Sequence, residues 1–277
     1  MFLVFDIGGT NMRIATSTDG KTLTATKVVP TPKDFDQGMS AFKQVIDELI
    51  QAEKIQSMAG GVAGPIDKDK TMLVKSPQLP KWINKPLKSE LERLFNCPLN
   101  LENDADLAAL GEANFGAGIN HQIVAYLTIS TGVGGGRVVN KKIDENSLGF
   151  EPGHQIIVPA GDECNCGGKG HLESYIGGYY LEKKYGQPAE NLADSKVWDE
   201  VAKYLAIGLN NVTVFWSPNI IVLGGAVMKS ISLDAVRAYL KEVLTIFPQA
   251  PEIQLAKLRD PAGLYGALAL ITKQTED

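Results

Sequence analysis

Two glycine-rich hairpins stand at corresponding places in the two halves of this 277-residue chain. The first, FLVFDIGGTNMRIATSTDGKTLTATKVV, reads as an apolar strand, a Gly-Gly turn, a second strand, an Asp19-Gly20 hairpin signal and a third strand. The second, IVAYLTISTGVGGGRVVNKKI, repeats the order of strand, glycine-rich turn and strand. Apolar residues at helical spacing follow at 36–53, 172–184 and 197–215. The repeat predicts an α/β fold with a duplicated core and two domains around a cleft.

Composition narrows the class of partner. The formal net charge is -5, so no basic stripe is available for nucleic acid or anionic lipid, and a small molecule is the expected partner. No run of 18 apolar residues occurs, and no basic segment precedes an apolar one at the start of the chain. With 3 cysteines in all, we expect a cytoplasmic protein that binds neither nucleic acid nor membrane.

Both glycine turns can present backbone N–H groups and hydroxyls to an oxyanion such as phosphate. The residues concerned are Gly8, Gly9, Thr10 and Asn11 in the first turn, and Ser130, Thr131, Gly132, Gly134, Gly135 and Gly136 in the second. Neither turn matches the Walker pattern or G-x-G-x-x-G. A glycine-rich turn that occurs alone is more often a plain hairpin, and only the pairing of the two turns favours phosphate binding. Asp6 could hold Mg²⁺ through waters or simply cap the first turn.

The segment PLNLENDADLAALGEANFGAG predicts a short strand at 98–102 and a helix at 105–115, with Asn103 and Asp104 at the junction. Ligands of α/β sheets collect beyond the carboxyl ends of strands, which favours a functional role for this junction. The alternative is a helix N-cap, which stabilises a helix by about 1 kcal/mol without any chemistry. Asp106 lies in the same turn, and only position favours Asp104 over it.

The segment EPGHQIIVPAGDECNCGGKGHLE, residues 151–173, holds two of the 3 cysteines and two of the 3 histidines. His154, Cys164, Cys166 and His171 form the ligand set that tetrahedral structural zinc prefers. The alternative is a free C-x-C pair on a surface loop with two incidental histidines. A disulfide between the two cysteines would close a cramped ring.

Six motifs in order resemble the ROK family (repressor, open reading frame, kinase) of bacterial sugar kinases: DIGGTN, GVAGPID, ENDADLAALGE, ISTGVGGG, ExGH followed by CxCGxxGxxE, and IVLGGAV. The glycine turns are shared more widely, with the actin, hexokinase and heat-shock chaperone superfamily. The resemblance implies the duplicated actin-like ATPase (ribonuclease H-like) fold and a homodimer. It also implies a smaller domain of residues 1–115 plus 262–277, and a larger domain of residues 116–261 with the zinc loop.

The resemblance implies ATP-dependent phosphorylation of a hexose hydroxyl, with Mg²⁺ and a structural Zn²⁺ as cofactors and Asp104 as general base. The residues that it implies at the sugar are Gly64, Asn103, Asp104, Glu151, His154 and Glu173. Those that it implies at the nucleotide are Asp6, Gly8, Gly9, Thr10, Asn11, Thr131, Gly132, Gly134, Gly224 and Gly225.

Three positions depart from the family pattern. His171 stands where relatives usually carry a third cysteine, Ala226 replaces the last glycine near the adenosine, and Gln78 replaces an asparagine in a loop leaning over the sugar. Glucose is the first choice of acceptor, because Glu151, His154 and Glu173 can form hydrogen bonds with hydroxyl groups. N-acetylmannosamine, N-acetylglucosamine, fructose and allose stay open.

Two other functions compete with the kinase. A sugar-sensing repressor of the same family carries a helix-turn-helix before its first glycine turn, whereas only five residues precede Asp6 here. A chaperone-like or filament-forming ATPase has no need of a sugar-facing loop with zinc ligands, and no extra peptide-binding domain is evident. We therefore expect the kinase.

Overall fold

The computed structural model describes residues 1–50 and 53–274 of the chain. Its strands are β1 (Phe2–Ile7), β2 (Asn11–Ser17), β3 (Ala25–Pro30), β4 (Ser57–Val62), β5 (Leu99–Asn103), β6 (Ile123–Ile129), β7 (Val133–Val139), β8 (Lys142–Ile143), β9 (Ile220–Gly224) and β10 (Glu252–Leu255). Its α-helices are α1 (Phe35–Ile50), α2 (Leu87–Phe95), α3 (Asp104–Phe115), α4 (Glu173–Ile176), α5 (Gly178–Tyr185), α6 (Ser195–Trp216), α7 (Leu233–Val243) and α8 (Ala262–Gln274). Short 3-10 helices lie at Pro80–Trp82, Pro152–His154, Ala189–Asn191 and Val227–Ser230.

Two five-stranded sheets repeat one topology. The strand order is β3-β2-β1-β4-β5 in the first and β8-β7-β6-β9-β10 in the second. In each sheet the first strand in sequence pairs antiparallel with its hairpin partner and parallel with a later strand. A second parallel pair, β4–β5 or β9–β10, completes the sheet. The duplicated α/β core predicted from the hairpins is confirmed.

Each sheet has its own hydrophobic core. On the first sheet, α1 buries Phe35, Met39, Phe42 and Ile46, which recur at helical spacing on one face. The ring of Phe42 meets Phe5 of β1 edge to face, with centroids 5.1 Å apart. These contacts fix α1 against the sheet.

On the second sheet the long helix α6 has the corresponding role. Asp194 caps its first turn by accepting a hydrogen bond from the Lys196 N–H. Leu205 and Leu209 are fully buried in a core that includes Leu127 of β6. The predicted helix at 197–215 is therefore confirmed and is slightly longer than expected.

Helix α8 packs against α3, β1 and β4. Its fit to α3 depends on two glycines: a Cβ on Gly111 would lie 2.2 Å from the Ala262 carbonyl oxygen, and one on Gly266 would lie 1.8 Å from that of Leu107. No larger residue fits at either point without a shift of backbone. The last helix thus belongs with the elements that carry the first glycine turn.

Contacts divide the chain into two compact units. Unit 1 comprises Met1–Gly116, Ile143–Gly149 and Asp260–Asp277, and unit 2 comprises Ala117–Lys142 and Phe150–Arg259. The segment 143–149, which the family resemblance assigns to the larger domain, falls in unit 1. Among the described residues, no helix combines the length and apolarity needed to cross a membrane.

Two predicted helices differ in the structure. The helix expected at 36–53 ends at Ile50, and residues 51–52 lie outside the described part of the chain. The single helix expected at 172–184 is wrong, because the chain breaks at Gly177, which is extended with φ -69° and ψ 139°. The break frees the Gly178 N–H to donate to the Ser130 carbonyl (2.7 Å), a contact with the second glycine turn.

Candidate active site

Three loops of unit 1 leave its sheet at the same edge. The register pairs Ile7 with Val62 and Val62 with Asn103 across the parallel strands β1, β4 and β5. The first glycine turn, the Gly64 loop and the start of α3 follow directly after these residues. Carboxyl ends of parallel strands are where ligands bind in such sheets. The sequence-predicted groups of unit 1 are therefore brought together by strand pairing.

The first glycine turn is closed by the Gly8 N–H, which donates to the Asn11 carbonyl (3.0 Å). Thr31 holds the turn from the side: its hydroxyl donates to the Gly8 carbonyl (2.7 Å) and its N–H donates to the Thr10 carbonyl (2.8 Å). Asn11 already belongs to β2. The turn is thus preorganised, with Thr10 exposed at its tip.

Asp6 ends up almost buried, with 14% of its side chain exposed, and its carboxylate lies 3.6 Å from the Arg13 guanidinium. Burial raises the pKa of Asp6 from 3.8 to about 6, and the charge of Arg13 opposes that shift. The start of α8 is close by, since a Cβ on Gly263 would lie 3.4 Å from the Asp6 Oδ2. Mg²⁺ prefers carboxylate and water, so the Asp6 carboxylate fits this ion, and its binding there stays a prediction.

Asn103 is a helix cap as well as a junction residue. Its Oδ1 accepts hydrogen bonds from the N–H groups of Ala105 (2.8 Å) and Asp106 (3.2 Å). Its Nδ2 donates to the Gly64 carbonyl (2.9 Å), which ties the Gly64 loop to the start of α3. Gly64 has φ +124°, and a Cβ there would lie 2.4 Å from the Lys75 carbonyl oxygen. The capping role is thus observed, while contact of Asn103 and Gly64 with a sugar stays a prediction.

The structure separates Asp104 from Asp106. Asp106 is buried, with 3% of its surface exposed, whereas Asp104 is half-buried in the first turn of α3. The Asp104 Oδ1 accepts a hydrogen bond from the Ala105 N–H (2.9 Å). Gly61 of β4 lets Asp104 come close to the sheet, because a Cβ there would lie 3.1 Å from the Asp104 Cα. Of the two carboxylates, Asp104 is the one more accessible to a ligand.

The second glycine turn consists of Ser130, Thr131 and Gly132, closed by the Ser130 N–H donating to the Gly132 carbonyl (2.9 Å). The Glu173 Oε2 accepts a hydrogen bond from the Val133 N–H (2.9 Å). A Cβ on Gly132 would lie 2.5 Å from that same oxygen, so any larger residue there would displace the carboxylate. Glu173, predicted at the sugar, therefore also supports the turn predicted at the phosphates.

Two other predicted nucleotide positions lie in strands. Gly134 belongs to β7, where it pairs with Thr128, and is not part of the turn itself. Gly224 ends β9, where it pairs with the same Thr128 from the other side. Gly225 follows it immediately in the chain. The ends of β6 and β9 thus lie at one edge of the second sheet, as β1 and β4 do in the first.

The four predicted zinc ligands converge. One ligand atom from each of His154, Cys164, Cys166 and His171 lies within 4.8 Å of every other. The His154 Nδ1 lies 3.4 Å from the His171 Nδ1 and 3.7 Å from the Cys164 Sγ, and the Cys166 Sγ lies 3.3 Å from the His171 Nδ1. Zn–S and Zn–N bonds of ordinary length give tetrahedral edges of roughly 3.3–3.8 Å. The donor set and its spacing fit zinc, and His171 would be the fourth ligand.

Two tyrosines brace this loop. The Tyr180 hydroxyl accepts from the Asn165 N–H (2.8 Å) and lies 3.4 Å from the Cys164 Sγ, to which it can donate. The Tyr175 hydroxyl accepts from the Asp162 N–H (2.8 Å). Both tyrosines follow His171 by only a few residues. The loop and the segment that carries Glu173 are therefore one connected structure.

Glu151 lies at the other end of the loop. Its carboxylate is 3.8 Å from the His154 Nε2. Because the His154 Nδ1 faces the other ligand atoms, metal binding there would leave Nε2 protonated and directed toward this carboxylate. With a metal bound, a hydrogen-bond donor on His154 and an acceptor on Glu151 would thus lie side by side.

Comparison with known proteins identifies the family of this chain. The profile described as "ROK family" matches residues 3–274. The chain belongs to the ROK family. A glucokinase of Thermotoga maritima is 28% identical to this ROK protein, over 97% of this chain and 96% of the relative. The solved ROK hexokinase of Thermus thermophilus superposes with a TM-score of 0.87 at 29% identity, covering 100% of this chain and 99% of the other.

A second solved structure was determined with ligands. It is a ROK family glucokinase from Streptomyces griseus in complex with glucose and AMPPNP, 26% identical, with a TM-score of 0.83 over 97% of this chain and 98% of the other. The actin-like ATPase fold predicted for this ROK protein is therefore confirmed. The match covers both units and not the shared glycine turns alone.

Three residues that support the candidate site of this ROK protein belong to no motif recognised in the sequence. Arg13, Thr31 and Tyr180 act on Asp6, on the first turn and on Cys164, respectively. A charged residue inside the apolar strand NMRIATS is a weak signal for Arg13. The contacts of the other two join segments far apart in sequence or depend on side-chain direction, so spacing alone does not reveal them.

The raised pKa of Asp6 predicts how stability varies with pH. Between about pH 4 and pH 6 the native carboxyl keeps its proton while the unfolded one has lost it, so the free energy of unfolding falls as pH rises through this window. We expect Asp6→Asn to raise that free energy at pH 8 by about 1–3 kcal/mol and to leave it unchanged near pH 3. Urea unfolding at both pH values measures this.

Asp19→Asn is the matched control for Asp6→Asn. Hydrogen bonds from the Lys21 and Thr22 N–H groups lower the pKa of Asp19, so this ROK protein should gain no stability from that change at pH 8. Equal stabilisation by both substitutions would contradict the role of burial at Asp6.

The ligand geometry predicts about one zinc ion per chain. We expect elemental analysis of the purified ROK protein to find it, and Cys164→Ser to lose it together with thermal stability. Cys97→Ala is the control. Cys97 is buried in the core of the other unit, so the Cys97→Ala variant should retain the metal. Full zinc content in Cys164→Ser, or loss in Cys97→Ala, would show that the cluster is not the site.

Proposed function

We propose that this ROK-family sugar kinase transfers the γ-phosphoryl group of ATP to a hydroxyl of a hexose, with glucose as the expected acceptor and Asp104 as general base. The proposal is carried by one observation: the half-buried carboxylate of Asp104 stands at the same sheet edge as the preorganised Gly8–Gly9 turn. A phosphate-binding turn and a base for the acceptor are the two parts that the reaction needs from unit 1. Each unit, within the boundaries given above, carries one glycine turn.

The chemistry asks little covalent help from the protein. In-line phosphoryl transfer requires the acceptor oxygen to be aligned with the γ-phosphorus and the spreading negative charge to be neutralised. Asp104 accepts the hydroxyl proton as the bond from oxygen to phosphorus forms and the bond to ADP breaks. The backbone N–H groups of the glycine turns donate hydrogen bonds to the phosphate oxygens. Asp6 would hold Mg²⁺, which would supply positive charge beside the phosphates.

The residues proposed at the acceptor sugar offer both acceptors and donors of hydrogen bonds. Glu151 and Glu173 accept charge-assisted hydrogen bonds from sugar hydroxyls, while the protonated Nε2 of His154 donates one. Asn103 and Gly64 contribute from unit 1. His154, Cys164, Cys166 and His171 would hold a structural zinc, which would stabilise the loop that carries Glu151 and Glu173 at its two ends. A homodimer stays a prediction.

Replacement of the base tests the assignment. We expect Asp104→Asn to lower kcat by about 10²–10⁴ while sugar binding remains measurable by calorimetry, because the carboxylate is needed for proton transfer and not for the fold. Asp106→Asn is the control and should keep most of kcat, since that side chain is buried. Near-normal kcat in Asp104→Asn, or an equal loss in both variants, would exclude Asp104 as the base.

A substrate panel tests the activity itself. Coupled assays with glucose, N-acetylglucosamine, N-acetylmannosamine, fructose and allose, each with ATP and with polyphosphate, should give the highest kcat/KM for glucose and ATP. Higher kcat/KM for a 2-acetamido sugar would replace glucose and leave the kinase intact. ATP hydrolysis unaffected by every sugar would instead favour a chaperone-like ATPase.

A further inference from the structure

The lysine at position 33 contacts two parts of unit 1 that are distant in sequence. Its ammonium group donates a hydrogen bond to the Gly9 carbonyl (2.7 Å) and another to the Gln78 carbonyl (3.3 Å). Gly9 belongs to the first glycine turn. Gln78 belongs to the loop at 76–79, which the family resemblance places over the sugar. One side chain thus joins the two segments.

The turn and the loop are also packed directly on each other. A Cβ on Gly9 would lie 2.3 Å from the Cβ of Gln78, so no other residue fits at position 9 without moving the loop. The loop in turn is anchored to the sheet, because the Ser76 hydroxyl donates to the Ala63 carbonyl (2.9 Å) next to Gly64. Movement of the loop would therefore reach both the turn and the Gly64 segment.

Residues 31–33 form a bridge between these segments. Thr31 holds the turn through the carbonyls of Gly8 and Thr10, as described above. The Pro32 carbonyl accepts a hydrogen bond from the Trp82 indole N–H (3.1 Å), just after the loop. Lys33 contacts both sides. Although its side chain is exposed, a lysine that donates to two carbonyls is oriented differently from one that extends into solvent.

We propose that Lys33 is a positioning residue, whose ammonium group holds the phosphate-binding turn at Gly9 against the acceptor loop at Gln78. The assignment of these segments to phosphate and sugar rests on the proposed function. Charge-assisted hydrogen bonds to carbonyls are stronger than neutral ones and hold the two segments at a fixed separation. Loss of the ammonium group would loosen both segments and misalign the acceptor with the γ-phosphorus.

The test compares Lys33→Met, Lys33→Arg and Lys21→Met. Lys21 is an exposed lysine of the β2–β3 hairpin and serves as the control for loss of one surface charge. In ligand-free Lys33→Met we expect amide hydrogen exchange to rise about 10-fold at both Gly8 and Leu79, and kcat/KM for sugar and ATP to fall about 10-fold. Lys33→Arg should stay within about 3-fold, because guanidinium can donate to two carbonyls.

Several results would overturn the proposal. These are unchanged exchange in Lys33→Met, a rise at only one of the two amides, an equal effect of Lys21→Met, or failure of both Lys33 variants to fold. Hydrogen exchange is measured without substrate, so it tests the bridge even if no hexose is phosphorylated by the wild-type protein. In that case the proposed function fails, while the hydrogen-exchange result still decides whether Lys33 joins the turn to the loop.

Discussion

Parallel pairing of β1 with β4, and of β4 with β5, is the interaction on which the candidate site of unit 1 depends. Hydrogen bonds between these strands put Ile7, Val62 and Asn103 in one row. The residues that follow must then leave the sheet side by side, although they come from three distant parts of the sequence. Asn103 reinforces the arrangement by capping α3 and bonding the Gly64 carbonyl. The same hydrogen bonds therefore serve the fold and position Asp104.

In unit 2, a carboxylate holds the glycine turn in place. The Glu173 side chain accepts the Val133 N–H at the glycine turn, and Gly132 leaves the space for it. Two residues before Glu173, His171 joins the cluster of metal ligands. In the proposed kinase, a metal bound in this loop would stabilise the segment that carries Glu173 and, through Glu173, the second glycine turn.

Motif spacing in the sequence predicted many parts of the candidate site, because local chemistry decides those parts. The glycine turns, the cap at Asn103 and the cluster of His154, Cys164, Cys166 and His171 depend on residues close in sequence or on scarce residue types. The helix expected at 172–184 was wrong because its apolar spacing is helical on both sides of Gly177. What breaks it is the Ser130 carbonyl, a partner more than 40 residues away that periodicity cannot include.

The sequence by itself determined the duplicated α/β core, the family and the identity of the chemical groups, since alternation, glycine placement and ligand type are properties of the chain. Only the tertiary structure decided which of Asp104 and Asp106 is accessible, that Gly134 lies in a strand, and that Lys33 bridges Gly9 and Gln78. The physical reason is that burial and long-range hydrogen bonds depend on neighbours brought together by folding, which no local pattern of residues records.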